Sequence, residues 1–372
     1  ERATALDPGL ADAWESRGRS LAWLGEVAEA RAALERCLAM PAAVDCLFWL
    51  KFLDAADGDC AACERDARRR IDRDPLGIVG PRNLADAFLA LGRPTEAARA
   101  ALVQSWKLWN DRDRAREQLA DEADFDIVEG DFANARELAE RELALVESDP
   151  EGDRHLRATK VLTRIALETG DRRAAGALAG GFVKRAAAWA TAEGTFDKGA
   201  DELPWLLRVA RREGALSRED YEAARAAWVE GLRTAYASSG YGWVLAYAQA
   251  VDSPAEAKDA LAKLDELGPL PPFFLTADDI ELTVGKVYAL AGRLDDAKTH
   301  LSRAARHCAR LGDPFAHPHA ELELGLVDER ASDLGGACEA YRAILQQWGD
   351  AKPRSVTAER ARDRARALAC AK

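Results

Sequence analysis

The sequence predicts an all-α fold, a superhelical solenoid of antiparallel helix pairs, and three observations carry that prediction. Small residues recur at matching offsets with a period of about 34 residues. Glycine closes the first helix of successive pairs, and no run of alternating β-branched residues is long enough to argue for a sheet. The first copy is nearly complete: Trp14, Gly18, Leu21, Gly25, Ala30, Leu34 and then Pro41. Two helices that pack closely need small residues where their backbones cross. That places Gly18 and Ala30 at the crossing, with Trp14, Leu21 and Leu34 as the larger residues around it. Gly25 ends the first helix by taking the left-handed conformation. Asp7-Pro8 and Asp74-Pro75 separate one pair from the next.

With that copy as a ruler, the second pair runs from about Val44 through Leu47, Gly58 and Cys63 to Pro75, with Lys51 in place of the crossing glycine. The third carries Leu84, Ala85, Phe88, Leu91, Gly92 and Ala97; the fourth, Leu119, Ala123, Gly130, Ala135 and Ala139; the fifth, Leu162, Ala166, Gly170, Ala175 and Ala179. Gly180-Gly181 and the stretch from Ala192 to Leu203 then lose the register, and that stretch reads as an irregular helix or loop. Helical patterning resumes from Pro204 to Glu213, followed by a helix capped by Ser217 that shows Trp228, Leu232 and Tyr236 on one face. A shorter pair covers Gly242 to Ala250 and Ser253 to Leu267, its second helix opening on the cap-like Ser253-Pro254-Ala255-Glu256. Gly268-Pro269-Leu270-Pro271-Pro272 cannot be helical and reads as a hinge. Two more copies follow, Gly285, Tyr288, Gly292, Ala297 and Leu301, then Leu324, Gly325, Ala337 and Tyr341. A charged helix from Ser355 to Ala371 is expected to cover the open end of the stack.

This reading divides the chain into hairpins over 1–180, a less regular helical region over 181–275, further hairpins over 276–354 and a capping helix over 355–372. With 48% hydrophobic and 31% charged residues in 372, there is material for a continuous core. No apolar run approaches the roughly 18 residues that a membrane span needs. The chain opens at Glu1 rather than Met, and Glu1 to Pro8 reads as the tail of an earlier helix, so a fragment of a longer polypeptide is expected. A net charge of −12 argues against nucleic acid as the main partner, because phosphate binding needs a cationic field. The last segment is locally basic through Lys352, Arg354, Arg360, Arg362, Arg364 and Arg366, and reads as a solvated face before it reads as a dock for an acidic partner.

Seven cysteines raise the question of metal or disulfides. Cys63 falls at the small crossing position, where a thiol is an apolar filler, so Cys60-Ala-Ala-Cys63 does not read as a metal site. Cys37 and Cys46 stand near facing helix ends and a disulfide between them is conceivable; the odd total and ordinary core positions favour free thiols. His300, His307, Cys308, His317 and His319 are close in sequence, yet the ruler spreads them over a helix, a loop and a helix start, which favours structural or solvent-facing roles. No nucleophile elbow, phosphate loop, dinucleotide fingerprint or kinase catalytic loop occurs. No catalytic residue, metal or cofactor is therefore expected, and the absent signal layout with free thiols makes a cytoplasmic location the default.

What remains is the groove formed by the inner faces of the first helices. In the fifth pair the groove-facing positions give Arg157, Lys160 and Arg164, a candidate clamp for a carboxylate, with Glu117 and Asp124 as alternative internal partners. In the first two pairs they give Arg19, Trp23, Phe48 and Phe52, an apolar shelf beside a cation whose plainer reading is core packing.

Over almost its whole length the chain resembles a tetratricopeptide-repeat protein. The run from Ala340 to Ala361, with Ala43-Val-Asp-Cys-Leu47 and Gly58-Asp-Cys60, is similar to the C-terminal repeat region of myxobacterial serine/threonine protein kinases. That resemblance implies a sensor or docking module carried behind a kinase domain, with no catalytic residue of its own. The leading expectation is a protein interaction scaffold that holds a peptide or helix, selected by the basic residues for acidic sequence. The alternative is a small-molecule-sensing domain, with a pocket formed between Gly180 and Pro272 and lined by Trp189, Trp205, Trp228 and Trp243.

Overall fold

The computed structural model describes residues 2–40, 43–146, 152–193, 203–235, 243–244, 247–267, 270 and 278–370. It divides into two compact units, each assembled from separate stretches of chain. The first comprises Glu1–Glu117, Pro271–Glu281 and Ser302–His317; the second comprises Gln118–Leu270, Leu282–Leu301 and Pro318–Lys372. Among the described residues the regular structure is helical, and strand pairing is confined to one isolated bridge between Asp131 and Lys352.

The first unit opens on α1 (Arg2–Leu6) and three hairpins: α2 (Ala11–Trp23) with α3 (Val27–Leu38), α4 (Asp45–Asp57) with α5 (Cys60–Arg73), and α6 (Val79–Ala90) with α7 (Thr95–Trp106). The predicted crossings are real contacts. A Cβ on Gly18 would lie 2.6 Å from Leu34 Cγ, so only glycine lets α2 approach α3 this closely. Leu34, Leu47, Leu50 and Leu53 fill the core beneath, each contributing about 1.5–3 kcal/mol by leaving water. Lys51, at the crossing of the second hairpin, is buried, and its ammonium reaches Asp86 of α6 at 3.5 Å. A lysine is tolerated there because the next hairpin supplies a carboxylate.

The second unit takes up α8 (Asp111–Glu129, begun in the first unit) with α9 (Phe132–Val146), α10 (Gly152–Glu168) with α11 (Arg172–Glu193), and α12 (Leu203–Arg212) with α13 (Arg218–Ala235). After these come α14 (Pro254–Leu267), α15 (Asp278–Ala291), α16 (Leu294–Arg306), α17 (Ala316–Arg330), α18 (Leu334–Trp348) and α19 (Val356–Ala367), with α15 to α17 lending short stretches to the first unit. Ser217 caps α13 by accepting the Asp220 amide at 3.0 Å. Ser253 accepts the Glu256 amide while Glu256 accepts that of Asp252, the reciprocal capping box that the sequence signals. Gly180-Gly181 does not break the register: α11 runs straight through it. A Cβ on Gly180 would lie 2.9 Å from that of Ala215, so this glycine serves close packing and not a loop. Residues 194–202, the proposed hinge apart from Leu270, and the positions of Leu232 and Tyr236 on their helical face lie outside what is described.

The last helices pack onto the fourth and fifth hairpins of the same unit. Trp348 donates its indole N–H to the Ile127 carbonyl at 2.8 Å, and the Lys352 amide donates to the Gly130 carbonyl. Ser355, which caps α19, and Thr357 both donate to Glu168 at the end of α10.

The cysteines overturn the free-thiol expectation. Disulfides join Cys37 to Cys46, Cys60 to Cys308 and Cys338 to Cys370, leaving Cys63 as the free and buried thiol. The first follows from the facing helix ends. The other two, separated by 248 and 32 residues, join positions that the repeat ruler does not bring together. Burial pushes the Cys63 thiol up to about 12.

Candidate peptide-docking site

In the first unit, two side chains of α6 hold main chain from elsewhere in the sequence. Arg82 and Asp86 stand one repeat after Phe48 and Phe52, at the register positions assigned to the groove, and both hold a bent, non-helical segment of the same chain. Asp86 Oδ1 accepts the main-chain amides of Arg310 and Leu311, each at 2.8 Å, and Arg82 donates to the Leu311 carbonyl at 3.2 Å. One carboxylate oxygen taking two consecutive amides requires a bent backbone that turns both N–H groups to one side, which the non-helical stretch from His307 to Phe315, with bends at Cys308 and from Arg310 to Gly312, supplies. Cys308, Leu311 and Phe315 of the segment are buried as its anchors, and Cys308 joins a small cluster with Ala55, Cys60, Cys63 and Ala87. The same ruler that pointed to Phe48 and Phe52 reaches Arg82 and Asp86; their ligand, lying more than two hundred residues away, gave no signal.

The residues expected to form an aromatic shelf stand on α2 and α4. Phe48 and Phe52 meet edge to face with centroids 4.7 Å apart, and Trp49 lies 6.0 Å from Phe52. Arg19 places its guanidinium over Trp49 at 5.4 Å, and the Trp49 indole donates to Glu15 at 3.0 Å. Trp49 is thus the member of the shelf that sequence reasoning missed. Trp23, Trp49 and Phe52 are half-buried against the core of the first two hairpins, so these rings support packing and also face outward.

Of the basic triplet on α10, Arg157 is engaged by internal carboxylates. Arg157 lies 2.7 Å from Asp124 and 2.7 Å from Glu142, two buried carboxylates, and also donates to the Ala120 carbonyl. It neutralises the inside of the second unit. Arg164 places its guanidinium over the Trp205 ring at 5.3 Å, and Lys160 is half-buried between them in sequence. Of the tryptophans proposed to line a pocket, Trp228 and Trp243 are in the core, and Trp243 donates to the Ala260 carbonyl. The Trp189 side chain lies outside the described residues.

The histidines do not converge on a metal. His317 Nδ1 meets the Ala305 carbonyl, and burial, with Arg310 nearby, pushes its pKa down to about 3. His319 pairs with Glu168 at 2.9 Å, His300 stacks on Tyr288, and Cys308 is in a disulfide. Among the described residues no three potential ligands gather. Ser355, His319 and Glu168 do meet, but hydroxyl and imidazole both address the carboxylate and the serine is buried, so this is a capping network without an activated nucleophile.

No protein-family model matches the chain, and no curated protein matches it. Among solved structures it is similar to Naa15/Naa10 bound to HypK (13% identity, TM-score 0.26, covering 94% of this chain and 55% of that one). It is also similar to the P58(IPK) TPR domain (14%, TM-score 0.25, covering 88% and 98%) and to yeast Tom70 (9%, TM-score 0.25, covering 96% and 95%). Overlaps this low carry no argument, and the architecture stands on the chain's own hairpins.

Proposed function

We propose that this chain is a non-catalytic protein interaction scaffold that binds a peptide or helix of a partner protein on the face of its first helices. The observation that carries the reading is the grip of Arg82 and Asp86 on a bent, non-helical main chain, a form of main-chain recognition enacted within the molecule. Lys160 and Arg164 would favour acidic sequence in the fifth hairpin, and the shelf of Arg19, Trp23, Phe48 and Phe52 would supply apolar anchoring. The role as the regulatory or docking region of a bacterial signalling kinase rests on the sequence resemblance of Ala340–Ala361. The division into 1–180, 181–275, 276–354 and 355–372 belongs to the same proposal. Three disulfides fit an oxidising compartment better than the cytoplasm, whose case rested on free thiols and the absent signal layout. No described helix is long and apolar enough to cross a membrane.

The test is affinity capture from lysate with the intact chain and with a Lys160→Glu, Arg164→Glu variant of equal helicity. A protein retained only by the intact chain supports the scaffold and its preference for acid. Equal retention by both removes the fifth hairpin from the site, and no retention by either speaks against the scaffold.

A further inference from the structure

The segment from His307 to Phe315 is held to the first unit in two different ways. One is reversible: the two amides on Asp86, the carbonyl on Arg82, and the burial of Leu311 and Phe315. The other is covalent, the disulfide from Cys308 to Cys60 at the start of α5. The reversible contacts are open to any main chain that bends the same way, because Asp86 and Arg82 read main-chain groups and not side chains. The covalent one fixes the effective concentration of this particular peptide. Asp86 is buried beside Lys51, so when the segment leaves, its carboxylate keeps a cation but loses two amide donors. A replacement peptide that offers the same two amides would restore those hydrogen bonds.

We propose that the Arg82–Asp86 face of α6 is a binding site for a bent peptide main chain, closed by the chain's own His307–Phe315 segment and latched by the Cys60–Cys308 disulfide. The ligand class is a bent, non-helical segment that turns two consecutive main-chain amides to one side, followed by a carbonyl, with an apolar side chain at the Leu311 position. A dithiol opens the latch. One of its thiolates attacks a sulfur of the pair, its second thiolate closes the reductant's own disulfide, and Cys60 and Cys308 depart as thiols carrying the two protons the dithiol gave up. Cys63 does not open it from within, since burial keeps that neighbouring thiol protonated.

The inference rests on the scaffold reading but is measured at the third hairpin, so its failure leaves capture through Lys160 and Arg164 standing. Hydrogen exchange would be followed on the oxidised chain and on a Cys60→Ser, Cys308→Ser variant, which spares the other two disulfides. Binding of a labelled Ala304–Ala316 peptide carrying Cys308→Ser would be measured on both. The expected result is at least tenfold faster exchange at Ala309 to Leu311 in the variant, with α2 and α3 unchanged. Peptide binding should be at least tenfold tighter than to the oxidised chain and abolished by Asp86→Ala. Equal exchange in the two chains overturns the latch. Faster exchange without Asp86-dependent peptide binding overturns the site, and loss of protection throughout α2 and α3 makes the disulfide a structural staple only.

Discussion

A Cβ added to Gly325 of α17 would lie 2.6 Å from the Tyr341 ring of α18, a ring with no exposed surface whose hydroxyl donates to Glu329. The ring therefore occupies the space a side chain at 325 would need. Gly325→Ala should cost about 1–3 kcal/mol by overpacking. Combined with Tyr341→Leu it should cost less than the sum of the single changes, because the two share one volume. Urea midpoints of the three variants measure the coupling, and strict additivity would show that the contact does not constrain the hairpin.

Arg157 carries a structural load that its place in a basic triplet conceals. Removing it leaves Asp124 and Glu142 buried and uncompensated, so Arg157→Ala should lower stability by about 3–5 kcal/mol. Arg157→Lys should recover only part, since one ammonium cannot span both carboxylates as the fork does. A loss below 1 kcal/mol in denaturant titration would mean that water reaches those acids.

Glu168 should impose an acid limb on stability. Burial alone would raise its carboxyl, but donation from His319, Ser355 and Thr357 outweighs burial and lowers it from 4.5. A carboxyl depressed on folding contributes stability above its unfolded pKa and loses it as pH falls through the folded value. Glu168→Gln should therefore be less stable at pH 7, with its curve converging on the native one below about pH 4.5. Parallel stability curves from pH 7 to 3 would contradict the assignment.

Ser332 closes the α17–α18 hairpin with φ of 64°, where the hairpins of α4, α6, α8 and α10 use glycine. Left-handed backbone costs a side-chain-bearing residue about 1–2 kcal/mol, against roughly 0.5–1 kcal/mol of extra unfolded-state freedom for glycine. Ser332→Gly should accordingly stabilise by about 0.5–1 kcal/mol, read as a rise in thermal midpoint, and a fall would point to a contact of the serine hydroxyl.

What the sequence made legible was whatever depends on near neighbours. The crossings at Gly18, Gly285 and Gly325, the glycine turns, and the caps at Ser217 and Ser253 are each decided within one hairpin. Gly180-Gly181 misleads because a glycine that admits a neighbouring turn, as Gly180 admits Ala215, looks the same in sequence as one that ends a helix. Lys51 looked like a weakened repeat because its carboxylate is supplied by the following hairpin. Asp124 as an internal partner of Arg157 was legible, whereas its second partner Glu142, the disulfide of Cys60 and the ligand of Asp86 depend on which surfaces meet after the hairpins form. Within the candidate site the register could point to Arg82 and Asp86, but nothing local to them could say that the chain would supply its own peptide.

The docking of α19 on Glu168 also sets a schedule for synthesis. Ser355 follows Glu168 by 187 residues, so at translation rates of about 5–20 residues per second the end of α10 waits roughly 10–40 s for its partner. During that interval the carboxylate must stay hydrated, and the neighbouring Ile127 carbonyl must wait for Trp348. The fourth and fifth hairpins therefore leave the ribosome with an open flank. Chains halted before Trp348 should be the ones that chaperones and proteases find first.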